Sequence, residues 1–202
     1  MSFGYIGDIS TKIKQQVKNE GILSVTELLE LQKDGFLGGS LELIQSQTIS
    51  SGSTLAFTNI KEDIFDVHLA MLKNIESSSS STRIDVRFSN DNGSTFEAGT
   101  NYQRVAQFGG AISNGESKST GTSGVSITPD SANQNKGGYC YFYNLGNSAK
   151  FSFLTFHAQE QDFYRFGGGV YDTAETINAI QFLTSNTNAW TGTVELYGVK
   201  QI

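Results

Sequence analysis

Cysteine and proline are almost missing from this chain, which has one of each, Cys140 and Pro129, among 202 residues. A lone cysteine excludes an intrachain disulfide, so stability must come from the core and from contacts between subunits. Two histidines, His68 and His157, are too few for a zinc site, which needs three or four His, Cys or carboxylate ligands. Neither has a serine or cysteine nucleophile motif beside it, so no acyl-transfer centre can be read. Charge is sparse as well, at 17% of residues against an average of about 25%. The 20 acidic residues outnumber the 14 Lys and Arg, for a net charge of −6. That balance disfavours a nucleic-acid partner, because phosphate binding needs clustered basic side chains. The densest basic group, Lys12, Lys14 and Lys18, falls on the solvent side of an expected helix. No run approaches the roughly 18 apolar residues of a membrane span. The opening MSFGYIGD lacks the build of a secretory signal, so the expectation is a protein made in a cytoplasm, neither membrane-inserted nor classically targeted.

What the chain has in plenty is glycine (22), phenylalanine (14) and tyrosine (8), with Ser, Thr and Asn in the turns. This is the composition of a β-protein with polar, uncharged loops. Residues 8–34 differ from the rest, because they carry helical periodicity. Asp8 or Ser10 caps a first expected helix with Ile9, Ile13 and Val17 on one face and Gly21 as its stop. Ser24-Val25-Thr26-Glu27 is a capping box for a second, with Val25, Leu28, Leu29 and Leu31 behind it and Gly35 at its end. Helices of about ten residues are not stable alone in water. Their apolar stripes must lie against the β-domain itself or against another protein. The boundary is placed at Gly38-Gly39, giving an attachment arm over 1–37 and a β-domain over 38–202.

The β-domain is read as a series of strands and turns. In Thr82 to Tyr102, Ile84, Val86 and Phe88 share one face, and Asn90-Asp91-Asn92-Gly93 tolerates the positive φ of a reversal, so the stretch is expected to be a hairpin. Ile64 to Leu72 alternates cleanly, with Phe65, Val67, Leu69 and Met71 opposite Asp66, His68 and Ala70. Tyr139 to Leu145 and Phe151 to His157 are aromatic and apolar on both faces and should be central. Residues 109–138 read as a long polar loop with a short strand at Val125 and Ile127, and Phe163 to Tyr171 as an aromatic loop around three glycines. Ile177 to Leu183 and Thr193 to Val199 form the final strand pair. Eight or nine strands, frequent turns and no intervening helices predict a mainly β fold, an antiparallel β-sandwich of the jelly-roll type with a short N-terminal helical arm.

Tested for chemistry, the chain yields no catalytic, cofactor-binding or metal site. Asp66, Asp85, Glu97, Glu160, Asp162 and Glu195 could meet in space as paired carboxylates, yet most sit at turns or on polar strand faces. The Asn90 to Gly93 stretch followed by Glu97 lacks the 12-residue calcium-loop pattern. Gly167-Gly168-Gly169 is no phosphate cradle, since neither a capped helix nor a lysine accompanies it. Phe163, Tyr164, Phe166, Tyr171 and Trp190 are the candidate aromatics, for core or interface burial ahead of sugar stacking.

The runs Leu41-Glu-Leu-Ile, Gln47 to Ile60, Phe65 to Ile75 and Ile84 to Phe96 resemble a β-domain found in virion proteins of tailed, largely marine, bacteriophages. Ile177-Asn-Ala-Ile-Gln-Phe-Leu183 and Gly192 to Val199 are similar to that family's last two strands. The resemblance implies a non-enzymatic particle component, either a tail fibre or appendage or a capsid-attached fibre or decoration protein. It would be located in the virion, with other virion proteins as partners. Ile9, Ile13, Val17, Val25, Leu28 and Leu29 are the candidate docking residues, and the resemblance and the aromatics together favour a homo-oligomer, most simply a trimer. A carbohydrate-binding or host-receptor module, with a surface glycan as ligand, is the alternative. No cofactor is expected.

Overall fold

The computed structural model describes residues 40–79, 82–111, 113–130 and 134–200, together with Thr26, Glu27 and Leu29. The chain divides into two compact units, Met1–Gly39 and Ser40–Ile202. In the first, Thr26, Glu27 and Leu29 are helical and Leu29 is exposed, while Ile9, Ile13, Val17, Val25 and Leu28 lie outside the described residues.

The second unit is mainly β and holds twelve strands among the described residues, more than the eight or nine expected. In chain order they are β1 (Leu41–Gly52), β2 (Thr54–Thr58), β3 (Val67–Ser77), β4 (Ile84–Ser89), β5 (Tyr102–Gly110), β6 (Asn114–Thr122), β7 (Val125–Ser126), β8 (Lys136–Tyr143), β9 (Ser152–Gln159), β10 (Phe163–Tyr171), β11 (Ala179–Thr184) and β12 (Trp190–Val199). One sheet of eight has the order β1-β12-β3-β8-β9-β10-β5-β6, and one of four the order β2-β11-β4-β7, every pairing antiparallel. The two form a β-sandwich, whose shared core draws Ala70, Phe142, Leu154, Phe156, Val194 and Leu196 from the large sheet. Leu55, Phe57, Val86, Phe88, Ile180 and Phe182 face them from the small one. Burying each such Phe stabilises the fold by about 1.5–3 kcal/mol. Phe88, Tyr102, Phe142 and Tyr171 interlock with ring centroids 5.0 to 6.0 Å apart, and the Phe88 amide donates to the Tyr102 hydroxyl oxygen at 2.9 Å. As expected, β8 and β9 are the central strands of the large sheet.

Five expectations are corrected. The Thr82 to Tyr102 stretch is not a hairpin, because β4 belongs to the small sheet and β5 to the large one. The turn is real, with Asn92 at φ 58° and Gly93 at φ 83°. Its residues are tied to one another and to the β11 side, since Asp91 accepts from the Thr95 amide and hydroxyl at 2.9 and 2.6 Å and the Asn92 amide donates to Asn178 Oδ1 at 2.7 Å. The loop therefore carries the chain across the sandwich. Likewise, the final pair is split between sheets, β11 in the small and β12 in the large.

The aromatic loop is instead β10, in continuous register with β5 and β9. Glycine there serves close approach, not a turn: a Cβ on Gly169 would stand 2.7 Å from a Val125 methyl. The long polar loop contains β6, an edge strand paired with β5, and β7. Exposed on most of its length, β6 has no apolar alternation to signal it. On β3, strand structure begins only at Val67, and Ile64 lies in a turn, 65% exposed. The core face of β3 is His68, Ala70 and Leu72, the more polar of the two sets. His68 fits there because its Nε2 meets the Ile60 carbonyl at 2.8 Å.

Candidate functional site

Alternation along the eight-stranded sheet sends one set of side chains outward, away from the core. Reading across the register, Val67, Leu69 and Met71 of β3 neighbour Tyr143, Tyr141 and Tyr139 of β8. These in turn neighbour Phe153, Thr155 and His157 of β9. Beyond lie Val170, Gly168 and Phe166 of β10, then Gln103, Val105 and Gln107 of β5. The result is an uncharged aromatic band. It is bounded on one side by the exposed Lys73–Glu195 pair at 2.6 Å, with Tyr197 also donating to Glu195, and on the other by the Lys118–Glu116 pair at 3.1 Å. The Lys73 ammonium, then the Tyr197 hydroxyl, holds the Glu195 carboxyl below its ordinary range, so Glu195 is ionised at neutral pH and forms a charge-balanced pair with Lys73.

The band remains substantially solvent-accessible. Tyr139, Phe153, Tyr164 and Phe166 are each at least 40% exposed, and Val105 is 59% exposed. Its rings support one another, with Tyr139 and His157 centroids 5.8 Å apart, Tyr141 stacked on Tyr143 at 6.4 Å and Tyr164 on Phe166 at 6.0 Å. Across β5, β9 and β10 the surface sinks into a groove of about 890 Å³. Phe153, Phe166, Val105 and Val170 wall it, Gly168 lies in its floor, and Gln103, Gln107 and Lys118 supply polar groups at its margins. A flat ring beside amide and ammonium donors can stack on an apolar ligand face while meeting its hydroxyls.

The five candidate aromatics are thus separated by strand polarity. Tyr164 and Phe166 point outward and belong to this surface, whereas Phe163 is half-buried and stacked on Phe108 at 5.9 Å. Tyr171 and Trp190 are core residues, 2% and 1% exposed. Sequence reasoning missed Tyr139 and Phe153, although the odd-numbered alternation of β8 and β9 contained the signal, and it missed Val105 of β5. Of the titratable candidates, His68 is buried and burial lowers its pKa, while Cys140 is fully buried and burial raises that of its thiol. Asp85, accepting from Ser126 Oγ at 2.6 Å, lies on the small sheet and Glu195 on the large one. Among the described residues, no group of three or more His, Cys, Asp or Glu gathers as a metal would need.

No protein-family model and no curated protein matches the chain. A solved structure of a protein of unknown function from Shewanella oneidensis MR-1 is similar at a TM-score of 0.31 and 11% identity, over 90% of this chain and 98% of that one.

Proposed function

We propose that this chain is a non-enzymatic structural protein of a tailed-phage virion, a tail fibre or appendage or a capsid-attached fibre or decoration protein. Residues 1–37 form its helical docking arm and the sandwich is displayed outside. The observation that carries the reading is the uncharged, exposed aromatic band of the large sheet, a surface of the kind that marks contact with another molecule. The particle assignment draws on the resemblance of the Leu41 to Phe96 runs and the last two strands to phage virion β-domains. A jelly roll is supported by the strand order, since β1-β12-β3-β8 and β2-β11-β4-β7 interleave along the chain, with β5–β6 and β9–β10 extending one sheet. The protein works as a homo-oligomer, a trimer in the simplest case, whose subunits meet through outward aromatics. Closed symmetry buries such a patch without open-ended association.

The test is an imaged particle together with a chain lacking residues 1–37. The shortened chain is expected to keep its β-sheet circular dichroism and to lose incorporation into particles. An unfolded product, or full incorporation, overturns the docking assignment. A second reading, binding of a host surface glycan, is favoured by one feature, the groove between Phe153 and Phe166 with amides at its margin. Saturable binding on a glycan array that Phe166→Ala abolishes would support it.

A further inference from the structure

Each sheet has two edge strands, and three of the four are blunted. β1 is irregular in register at Leu43/Gln45 and at Ile49/Gly52, and its Gln45 and Gln47 donate to the Thr58 and Ala56 carbonyls of β2 at 3.2 and 2.9 Å. β7 has only two residues, too few to template another strand. β6 is different. It ends the large sheet with nine residues, Asn114–Thr122, and no strand pairs with its outer side among the described residues. Pro129 lies outside it, and its one irregularity falls near its end, where Gly121 has φ 66°.

The phase of the β5–β6 ladder is fixed by the Gly110 amide, which donates to the Ser113 carbonyl at 2.7 Å. Opposed residues in an antiparallel pair alternate between bonded and non-bonded, so Gly115, Ser117 and Ser119 bond to Phe108, Ala106 and Arg104. Asn114, Glu116 and Lys118 therefore turn their N–H and C=O groups to the free edge. Glu116 and Lys118 share the outward face with Gln107 and Val105, and they pair with each other at 3.1 Å, their side chains 64% and 75% exposed.

This edge is complementary to itself. Two copies set antiparallel about a two-fold axis at Ser117 place Glu116 opposite Lys118 of the second copy, and Lys118 opposite its Glu116. All four residues present N–H and C=O to the seam, so one register satisfies the backbone and the charges together. The neighbouring in-phase registers, reached by sliding two residues either way, set Glu116 against Glu116 or Lys118 against Lys118. Like charges then face each other, which selects the first register.

We propose that β6 is a pairing edge for a second copy of this chain, joined antiparallel about a two-fold axis at Ser117 so that the two large sheets run on as one. The contact is isologous, and it leaves neither β6 edge open to further growth. It lies in the plane of the sheet, apart from the outward aromatics. It therefore joins single subunits, or trimers built through the aromatic face, in pairs.

The test measures self-association by sedimentation equilibrium in the full chain carrying Phe153→Ser and Phe166→Ser, a background that removes the aromatic contact and isolates the seam. A monomer–dimer equilibrium is expected there. Glu116→Lys and Lys118→Glu, each added alone, set like charges opposite each other twice and should weaken the dimer about tenfold. An equal mixture of those two chains should regain the background affinity, because every cross-strand pair between unlike chains is again of opposite sign. Lys118→Pro removes an amide that points to the seam and none that β5 uses, so it should abolish pairing while circular dichroism stays that of the background. The charge mixture decides the matter if the proline variant does not fold. The proposal is overturned by a background chain that stays monomeric at its highest soluble concentration, by charge variants that associate as the background does, or by a mixture no tighter than its parts. A monomeric chain that instead takes up an extended peptide along β6 would assign the edge to another protein and overturn self-pairing as well.

Discussion

The two sheets of this sandwich share one core yet present opposite outer faces. On the small sheet the outward side chains are chiefly short or polar: Thr54, Ala56 and Thr58 of β2, Gln181 of β11, Asp85, Arg87 and Ser89 of β4. They are knitted into local hydrogen bonds, with Asp85 on Ser126 at 2.6 Å and Arg87 Nε donating to the Ser123 carbonyl at 2.7 Å. The free edge of β2 is covered too, because Gln45 and Gln47 of β1 donate to the Thr58 and Ala56 carbonyls at 3.2 and 2.9 Å. The large sheet turns Tyr139, Phe153, Tyr164 and Phe166 to solvent without such cover. Folding does not require those rings, since the core is already filled from the other side of the same strands. The difference singles out the aromatic face as the surface the proposed contacts would use, while the polar face satisfies its hydrogen-bonding groups locally.

The comparison breaks first if inner and outer aromatics turn out to matter equally for stability. Phe142 and Tyr139 sit three residues apart on β8, one fully buried and one 41% exposed. Phe142→Ala is expected to cost about 3–5 kcal/mol by leaving a cavity. Tyr139→Ala should cost no more than about 1 kcal/mol. Urea denaturation of the two variants measures both, and equal costs would make the outer face part of the architecture. For association the order should invert. Phe153→Ser combined with Phe166→Ser should weaken self-association by at least tenfold in sedimentation equilibrium, about 1.4 kcal/mol. Arg87→Ala, on the polar face, should leave it unchanged.

Strand β3 is where the distinction between faces is chemically reversed, with a histidine on the core face and Leu69 and Met71 on the opposite one, Leu69 itself buried at 5% exposure. Burial lowers the His68 pKa, opposed in part by its bond to the Ile60 carbonyl. As pH falls, the unfolded chain takes up this proton first, near 6.5, and the folded chain only at lower pH. The contribution of neutral His68 to stability is therefore complete above about pH 6.5. It is lost below that, at a rate of at most about 1.4 kcal/mol per pH unit, until the folded-state value is reached. His68→Gln keeps a donor for Ile60 and should flatten the stability profile between pH 6.5 and 5, measured by denaturation against the native chain. An unchanged slope would mean that His68 is protonated inside the fold.

Much of this architecture was legible from local pattern, and its failures have one physical source. Period-two alternation identified β8, β9 and the Ile84 to Phe88 strand because their partners lie on both sides and bury one full face. It could not assign partners, so the Asn90 to Gly93 turn was read as closing a hairpin when it crosses between sheets. Edge strand β6 buries no full face and left no apolar trace, and the glycines of β10, present for close packing against β5 and β7, imitated a loop. Tyr171 and Trp190 stood in one candidate set with Tyr164 and Phe166 because sequence does not say which side of a strand is inside. The burial of Arg165 was illegible for a related reason, since between two exposed aromatics it reads as a solvated charge.

The smallest expected change in stability is also the most selective probe of the aromatic face. Gly168 lies in the groove floor, and a Cβ placed there would sit 3.1 Å from the Leu154 carbonyl oxygen and 3.8 Å from a Thr155 methyl. The first contact is tight and requires a shift of a few tenths of an ångström, which costs a little. Against this, replacing glycine by alanine restricts the unfolded chain and stabilises by about 0.4–1 kcal/mol where the backbone permits a side chain. The two effects nearly cancel, so Gly168→Ala should change the urea midpoint by less than about 0.5 kcal/mol in free-energy terms. The new methyl nevertheless fills the floor between Phe153 and Phe166, where a ligand ring or a partner's side chain would rest. Binding at the groove, to a glycan on an array or to a second subunit in sedimentation, should fall several-fold while the circular dichroism and melting curve stay as they were. If stability and binding both remain at native values, the groove floor is not contacted. The working surface would then have to be sought along Tyr139, Tyr141 and Tyr143 instead.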